Sequence, residues 1–105
     1  MIIQLNTDKN IAGDERLETY LNTVIKDKLS HFTDHITRVE VHLTDEKNIK
    51  KGSEDKRCMI EARLDNRPQP VAVTGHGSTV EKSLSDALDK IKASMDTIVG
   101  RLKSH

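Results

Sequence analysis

The sequence predicts an α+β fold, a two-layer sandwich in which two helices pack on one face of a four-stranded sheet, in the order β-α-β-β-β-α. Two patterns carry this prediction. Four short segments alternate apolar and polar residues as strands do, and two longer segments repeat apolar residues every three or four positions, as amphipathic helices do. Each helix has one apolar face to bury, and the sheet offers the surface for it. The chain has 105 residues, so we expect a single domain over residues 1–105.

The first strand and the first helix are predicted in the first third of the chain. Residues 2–7 form a short apolar-rich run in which Ile3 and Leu5 share one face. A helix is expected to begin at about Asp14, because acidic residues lie in its first turns and lysines near its end, an order that suits the helix dipole. Its apolar stripe consists of Leu17, Leu21, Val24, Ile25, Leu29 and Phe32.

Two alternating segments, residues 36–44 and 57–65, predict the second and third strands. Between them, residues 45–56 are almost wholly polar and predict a long flexible loop. Residues 66–70 have the composition of a turn, and residues 71–75 predict the fourth strand. Strands two to four then form an antiparallel meander whose second face is open to solvent or to a partner. This open sheet face would carry Arg38, His42, Met59, Glu61, Arg63 and Thr74.

A second, longer helix is predicted to reach nearly to the end of the chain. Ser78 and Glu81 have the spacing of a capping box, in which each side chain satisfies a free backbone N–H at the helix start. Gly100 lies inside this helix, where a glycine costs about 1 kcal/mol relative to alanine. Residues 75–78, Gly-His-Gly-Ser, lack the lysine of a phosphate-binding loop and are interpreted as a strand-to-helix turn. The apolar stripe consists of Val80, Leu84, Ala87, Leu88, Ile91, Met95, Ile98, Val99 and Leu102.

Composition excludes several classes of protein. Seventeen Lys and Arg balance seventeen Asp and Glu, so binding of a polyanion would require a local segregation of charge. The one cysteine, Cys58, excludes an internal disulfide framework and suits a reducing compartment. The first residues carry neither a cationic region nor a long apolar run, so we expect a cytoplasmic protein without a signal peptide or a membrane span.

No arrangement of residues predicts catalysis, and we expect neither an enzyme nor a bound cofactor or metal. His31 and His35 lie four residues apart, but the first helix ends near Phe32 and no carboxylate or thiol follows at zinc-site spacing. We interpret these two histidines as exposed polar residues. Cys58 lies at an inward-facing strand position, which favours a buried, unreactive thiol over a nucleophile.

The cations of the second helix are segregated on a helical wheel. Lys90 and Arg101 share one flank of the apolar stripe, and Lys92 and Lys103 share the other. On the first helix Lys28 falls within the stripe, where its stem can pack while its ammonium reaches solvent. The first flank also carries the hydroxyl residues Ser83, Ser94 and Thr97, and the outward ridge carries Asp86, Asp89 and Asp96. Periodicity alone leaves two interpretations open, a basic hydroxyl-rich track for a polyanion and, favoured on this pattern, ordinary solvated helix faces.

The predicted element order occurs together with two short motifs, Lys-Asp-Lys-Leu-Ser-His-Phe at residues 26–32 and Ala-Leu-Asp-Lys-Ile at residues 87–91. This combination resembles the ribosome hibernation-promoting factor family, which includes ribosome-associated inhibitor A and was once called the sigma-54 modulation proteins. The likeness covers nearly the whole chain and fits the short form, without the C-terminal dimerisation domain of the long members. The chain departs from the family pattern at Thr97 and Val99, where members are usually more basic.

The resemblance implies a protein that binds the small ribosomal subunit in the mRNA and tRNA channel, blocks translation and protects idle ribosomes in stationary phase or stress. Such binding would use phosphate contacts and shape rather than base sequence. The residues predicted to bind RNA are Lys26, Lys28, Lys90, Lys92, Arg101 and Lys103. The expected partners are the small subunit and its rRNA, without a membrane, and weak self-association is left open. The alternative is a cytosolic protein-interaction module that uses the open sheet face or an edge strand.

Deleting residues 48–55 tests the predicted loop. The fold should survive, because the segment holds almost no apolar residue to bury and because loop length affects stability weakly. Thermal unfolding of the shortened chain should stay cooperative, and a loss of cooperative unfolding would instead show that the segment belongs to the core.

Overall fold

Four strands and two α-helices follow one another in the predicted order in the computed structural model, which describes residues 1–9, 11–46, 56–65 and 67–103, with side chains as far as residue 101. The elements are β1 (Ile2–Thr7), α1 (Glu15–Lys28), β2 (Ile36–Asp45), β3 (Lys56–Leu64), β4 (Val71–Gly77) and α2 (Val80–Lys103). A short 3-10 helix, Ser30–Phe32, lies between α1 and β2. The predicted α+β class and element order are therefore confirmed.

The strands form one sheet in the order β1-β2-β3-β4. β1 is parallel to β2, because α1 carries the chain back across the sheet, and the other two pairs are antiparallel. The register places inward-facing residues in rows across the sheet. One such row joins Leu5 of β1, Val41 of β2, Ile60 of β3 and Val73 of β4. A single face of the sheet is therefore apolar.

Both helices bury their apolar stripes against this face, so one core lies between the two layers. From the helices it contains Leu21, Ile25, Leu29, Leu84, Ala87, Leu88, Ile91, Met95 and Val99, and from the strands it contains Ile36, Val39, Val41, Leu43, Cys58, Ile60, Ala62 and Leu64. Almost all are aliphatic, and Phe32 of the 3-10 helix adds the one buried aromatic ring within the described residues. Neither α1 nor α2 is long and apolar enough to cross a membrane.

The helix starts are capped in two different ways. The start of α1 lies close to the predicted position, and Asp14 caps it, because its carboxylate accepts a hydrogen bond from the Leu17 N–H at 3.0 Å. At α2 the predicted capping box of Ser78 with Glu81 is wrong. The hydroxyl of Thr79 accepts instead from the Lys82 N–H at 3.0 Å, because β4 continues two residues further than predicted and moves the helix start along the chain.

The predicted loop at residues 45–56 is shorter at both ends than the sequence suggests. Asp45 and Lys56 belong to β2 and β3, where they are paired, and Lys56 Nζ lies 3.6 Å from Asp45 Oδ2. Residues 47–55 lie outside the described part of the chain. β4 also includes His76 and Gly77, which the sequence predicts as part of the strand-to-helix turn.

β2 contains a bulge that breaks the alternation predicted from residue 36. Ile36 pairs with Leu64 and Arg38 pairs with Arg63, so Thr37 is an extra residue on β2. The hydroxyl of Thr37 donates to the Arg63 carbonyl at 3.2 Å. Because of the extra residue, Ile36 stays buried in the core while Arg38 begins the outward-facing row.

Two glycines let α2 lie directly on β4. A Cβ atom at Gly75 would be 2.3 Å from the Ala87 nitrogen and 2.6 Å from the Ser83 carbonyl oxygen, and one at Gly77 would be 2.6 Å from the Ser83 nitrogen. These neighbours are backbone atoms of α2, which cannot move aside as a side chain can. The helix therefore packs at a distance that no side chain at Gly75 allows.

Replacing Gly75 by alanine should destabilise the protein by about 1–3 kcal/mol or more, because the added methyl group overlaps the α2 backbone. Gly100→Ala is the matched control, since nothing lies within 4 Å of a Cβ there and alanine favours a helix by about 0.5–1 kcal/mol. Urea unfolding should show a lower midpoint for the first variant and an unchanged or higher midpoint for the second. Wild-type stability of Gly75→Ala would contradict this packing.

Candidate nucleic-acid interface

An ion pair between Lys28 of α1 and Asp89 of α2 joins the two helices. Lys28 Nζ lies 2.8 Å from Asp89 Oδ1, and the two side chains are 38% and 65% exposed. Lys92 lies three residues after Asp89, on the same side of α2, and its Nζ lies 3.5 Å from Asp96 Oδ2. We call these four residues the interhelical surface. Two of the cations predicted to bind RNA thus lie on it, and each has a carboxylate partner.

Lys90 is held against the free edge of the sheet. β4 is an edge strand, so half of its backbone groups have no neighbouring strand. The Lys90 ammonium donates to the Thr74 carbonyl at 2.9 Å and lies 3.3 Å from the Asp86 carboxylate. That carboxylate in turn accepts from the His76 N–H at 2.9 Å. Asp86 and Lys90 therefore satisfy two edge groups that an added strand would otherwise bond.

The carboxylate of Asp86 is stabilised in its charged form. Its pKa is lowered from the usual value chiefly by the hydrogen bond from the His76 backbone, with a smaller contribution from Lys90. Asp86 is therefore ionised at neutral pH and can hold the strand edge and Lys90 together. Lys90 thus helps to hold α2 on the β4 edge, a structural role that the sequence does not predict.

Lys26 and Arg101, two further cations predicted to bind RNA, lie apart from the interhelical surface. Lys26 is exposed and is rotated by about 200° from Lys28 around α1, so the two point to different sides of the helix. Arg101 is exposed and shares the angular position of Lys90 on α2. The side chain of Lys103 lies outside those that the structure describes. The described cations therefore do not form one continuous track.

The predicted row of hydroxyl groups beside Lys90 is wrong in one member. Ser83 is fully buried, and its hydroxyl donates to the Val80 carbonyl at 2.8 Å, because α2 packs so closely on β4. The exposed Thr97 likewise donates to its own helix, to the Ala93 carbonyl at 3.2 Å. Both hydroxyl groups donate to carbonyls of their own helix, and Ser83 lies in the core instead of in the predicted surface row.

The two histidines and the cysteine considered as reactive groups lie in different elements of the fold. His31 is exposed in the 3-10 helix and His35 is half-buried in the turn before β2, so they do not share an α-helical face. Cys58 is buried in β3, and burial raises the pKa of its thiol to about 12. A thiol with so high a pKa carries almost no thiolate at neutral pH, which agrees with the expectation of an unreactive group.

The open sheet face is polar. Arg38 Nε donates to Glu40 Oε2 at 3.0 Å, and Arg38 also donates to the side-chain carbonyl of Gln4 on β1. Met59 on β3 is half-buried and lies opposite His42 in the register. The larger apolar side chains of the strands lie on the other face, with Ile2 at the β1 edge as an exposed exception. The face therefore lacks the apolar centre that a stable protein interface usually has.

Part of this ion pairing is visible in the sequence. Asp86 and Lys90, and likewise Lys92 and Asp96, are four residues apart, the spacing at which oppositely charged side chains meet on a helix. No local pattern connects Lys28 with Asp89, since they lie on different helices.

Comparisons with known proteins relate this architecture to a family. The model of the family described as Sigma 54 modulation protein / S30EA ribosomal protein matches residues 6–103. The N-terminal domain of Thermus thermophilus Protein Y has a similar structure, with a TM-score of 0.73 at 16% identity, over 93% of this chain and 99% of that one. A ribosomal subunit interface protein from Coxiella burnetii gives a TM-score of 0.68 at 12% identity, over 95% and 99% of the two chains. No curated protein sequence matches.

The two kinds of similarity carry different weight. At identities of 16% and 12%, the solved structures support the fold alone. The family match spans residues 6–103, nearly the whole chain, and the family is a non-enzymatic one, which confirms the prediction that the chain is not an enzyme. The chain belongs to the Sigma 54 modulation protein / S30EA ribosomal protein family.

Proposed function

We propose that this protein is a ribosome-associated factor that binds the rRNA of the small subunit and inhibits translation in stationary phase or stress. The single observation that carries the proposal is the family match over residues 6–103. The similar structure from Coxiella burnetii is described as a ribosomal subunit interface protein, which agrees with it. Under this proposal the protein works in the cytoplasm as a single domain, with no cofactor for RNA binding and no membrane.

The interhelical surface is the part of the molecule that we assign to the RNA. Lys28 and Lys92 are partly exposed there, and their carboxylate partners Asp89 and Asp96 are more exposed still. Exposed ion pairs contribute only about 0.2–1 kcal/mol, so a phosphate can replace either carboxylate at little cost. Lys26 and Arg101 lie apart from this surface and, like Lys103, stay predictions from the sequence.

The alternative function as a protein-interaction module has less support from the geometry. Its edge-strand version is disfavoured at β4, where the side chains of Asp86 and Lys90 bond the outward backbone groups of His76 and Thr74. Its sheet-face version needs an apolar centre, whereas the outward rows of the sheet are mostly charged or polar. We therefore keep this function only as an outcome of the experiment below.

Neutralising Lys28 and Lys92 together, as Lys28→Gln with Lys92→Gln, should weaken co-sedimentation with small ribosomal subunits by about tenfold or more. The binding should also depend less on salt, with the slope of log affinity against log salt falling by about 1.4–1.8, because two phosphate contacts are lost. The measurement is a sedimentation titration at several salt concentrations. Stability should change little, because both ion pairs are exposed.

Arg57→Gln with Arg63→Gln is the matched control for this charge change. It also removes two positive charges, but from the open sheet face, and should leave the ribosome affinity near that of the wild type. Equal losses in the two double variants would mean that only net charge matters, and a loss in the control alone would favour the protein-interaction module. Lys90 is left intact in both, because its replacement would also disturb the β4 edge.

Asp89→Asn should strengthen ribosome binding. The substitution keeps the shape of the side chain but removes the negative charge 2.8 Å from Lys28, which would otherwise compete with phosphate. We expect an affinity increase of about two- to fivefold, from the modest strength of an exposed ion pair. The control Glu15→Gln removes a charge from the exposed first turn of α1, far from Lys28, and should have less effect. An unchanged or weaker affinity of Asp89→Asn would contradict a competition at the interhelical surface.

A further inference from the structure

Three metal-ligating side chains lie together on the open sheet face, on the opposite side of the sheet from the interhelical surface. Glu40 of β2 and Glu61 of β3 are direct partners in the antiparallel register. His42 lies two residues after Glu40, on the same face of β2. One ligand atom from each of the three lies within 4.8 Å of the others, and all three residues are half-buried.

Glu40 and Glu61 repel each other at facing positions, so a nearby positive charge would stabilise the pair. Like charges at directly facing positions destabilise an antiparallel pair. Arg38 compensates Glu40 by donating to its Oε2 at 3.0 Å. Within the described residues, no cation forms an ion pair with the Glu61 carboxylate and no group donates a hydrogen bond to it. The half-buried carboxylate of Glu61 therefore lies close to that of Glu40 and to the imidazole of His42.

The orientation of the groups suits a metal ion at this point. Because Arg38 takes one oxygen of Glu40, the other oxygen, Oε1, is turned toward His42 and lies 3.7 Å from its Nε2. That separation is too long for a hydrogen bond. It is close to the span of about 3.4 Å between two ligand atoms of a tetrahedral zinc ion with bonds of about 2.0–2.2 Å. A carboxylate oxygen of Glu61 lies within 4.8 Å of both other ligand atoms.

We propose that Glu40, His42 and Glu61 bind a divalent transition-metal ion, and that Zn²⁺ fits the site best. One imidazole nitrogen and two carboxylate oxygens are ligands that Zn²⁺ accepts, and a half-exposed site leaves a fourth position for water. Mg²⁺ fits less well, because it prefers an octahedral shell of oxygens and gives up its waters reluctantly. The site is built by other residues than those assigned to RNA, so either proposal can fail without the other.

Calorimetric titration of the metal-stripped protein with Zn²⁺, together with thermal unfolding, tests this site. The wild type should bind one equivalent saturably, and at a hundredfold excess over Kd its Tm should rise by about 10 °C. Mg²⁺ at the same concentration should give no saturable rise. Failure of the wild type to bind Zn²⁺ saturably at a one-to-one ratio would overturn the proposal.

Glu61→Gln gives the sharpest variant, because it keeps the shape of the side chain while removing one charge. Without metal its Tm should equal or exceed that of the wild type, since the repulsion from Glu40 is gone. Its affinity for Zn²⁺ should nevertheless fall by at least about tenfold. A stable variant that loses the metal cannot be explained by damage to the fold.

His42→Ala and His76→Ala complete the test as a matched pair. Both histidines lie on strands and face away from the core, but His76 is exposed on β4 and does not belong to the cluster. His42→Ala should lose Zn²⁺ binding by at least about tenfold, and His76→Ala should keep it. Wild-type affinity in both His42→Ala and Glu61→Gln would overturn the assignment, because the bound ion would then lie elsewhere on the chain.

Discussion

The direct contact of α2 with β4 at Gly75 determines how the rest of the molecule is arranged. A Cβ at this position would lie 2.3 Å from a backbone nitrogen of α2, so only glycine allows the helix to settle there. The close approach buries Ser83 and brings Asp86 and Lys90 onto the edge of β4. It also fixes the height and rotation of α2 above the sheet. Asp89 follows Asp86 by three residues on α2 and is thereby held beside Lys28 of α1.

This arrangement gives a neutral chain a particular kind of charged surface. Seventeen cations and seventeen carboxylates cannot create an overall field, and Lys28, Lys90 and Lys92 each lie beside a carboxylate. The pairs are not equivalent. Lys90 bonds a strand edge and is tied to Asp86, whose pKa is lowered, whereas Lys28 and Lys92 are held by well-exposed carboxylates. Under the proposed function, binding to a polyanion would be an exchange of partners at the interhelical surface, and its strength would depend on the carboxylates as well as on the lysines.

Sequence patterns predict the elements and their buried faces because these depend on local periodicity. The stripes of α1 and α2 and the inward rows of the strands follow from spacings of two, three and four residues. Tertiary contacts are not encoded in this way. The Lys28–Asp89 pair joins different helices, the β4 edge contacts of Lys90 depend on the seating of α2, and the Glu40–His42–Glu61 cluster requires the register of β2 with β3. The bulge at Thr37 escapes prediction for the same reason, since it is a property of the pairing with β3.

We propose that the interhelical surface is the part of this protein that contacts the ribosome. Acetylation of exposed lysines, read out by mass spectrometry with and without small ribosomal subunits, tests it on the unaltered chain. We expect Lys28 and Lys92 to lose reactivity in the complex, while Lys9, exposed beyond the end of β1, should keep it. If Lys28 and Lys92 keep their reactivity in a complex that sediments with the subunit, the binding surface lies elsewhere.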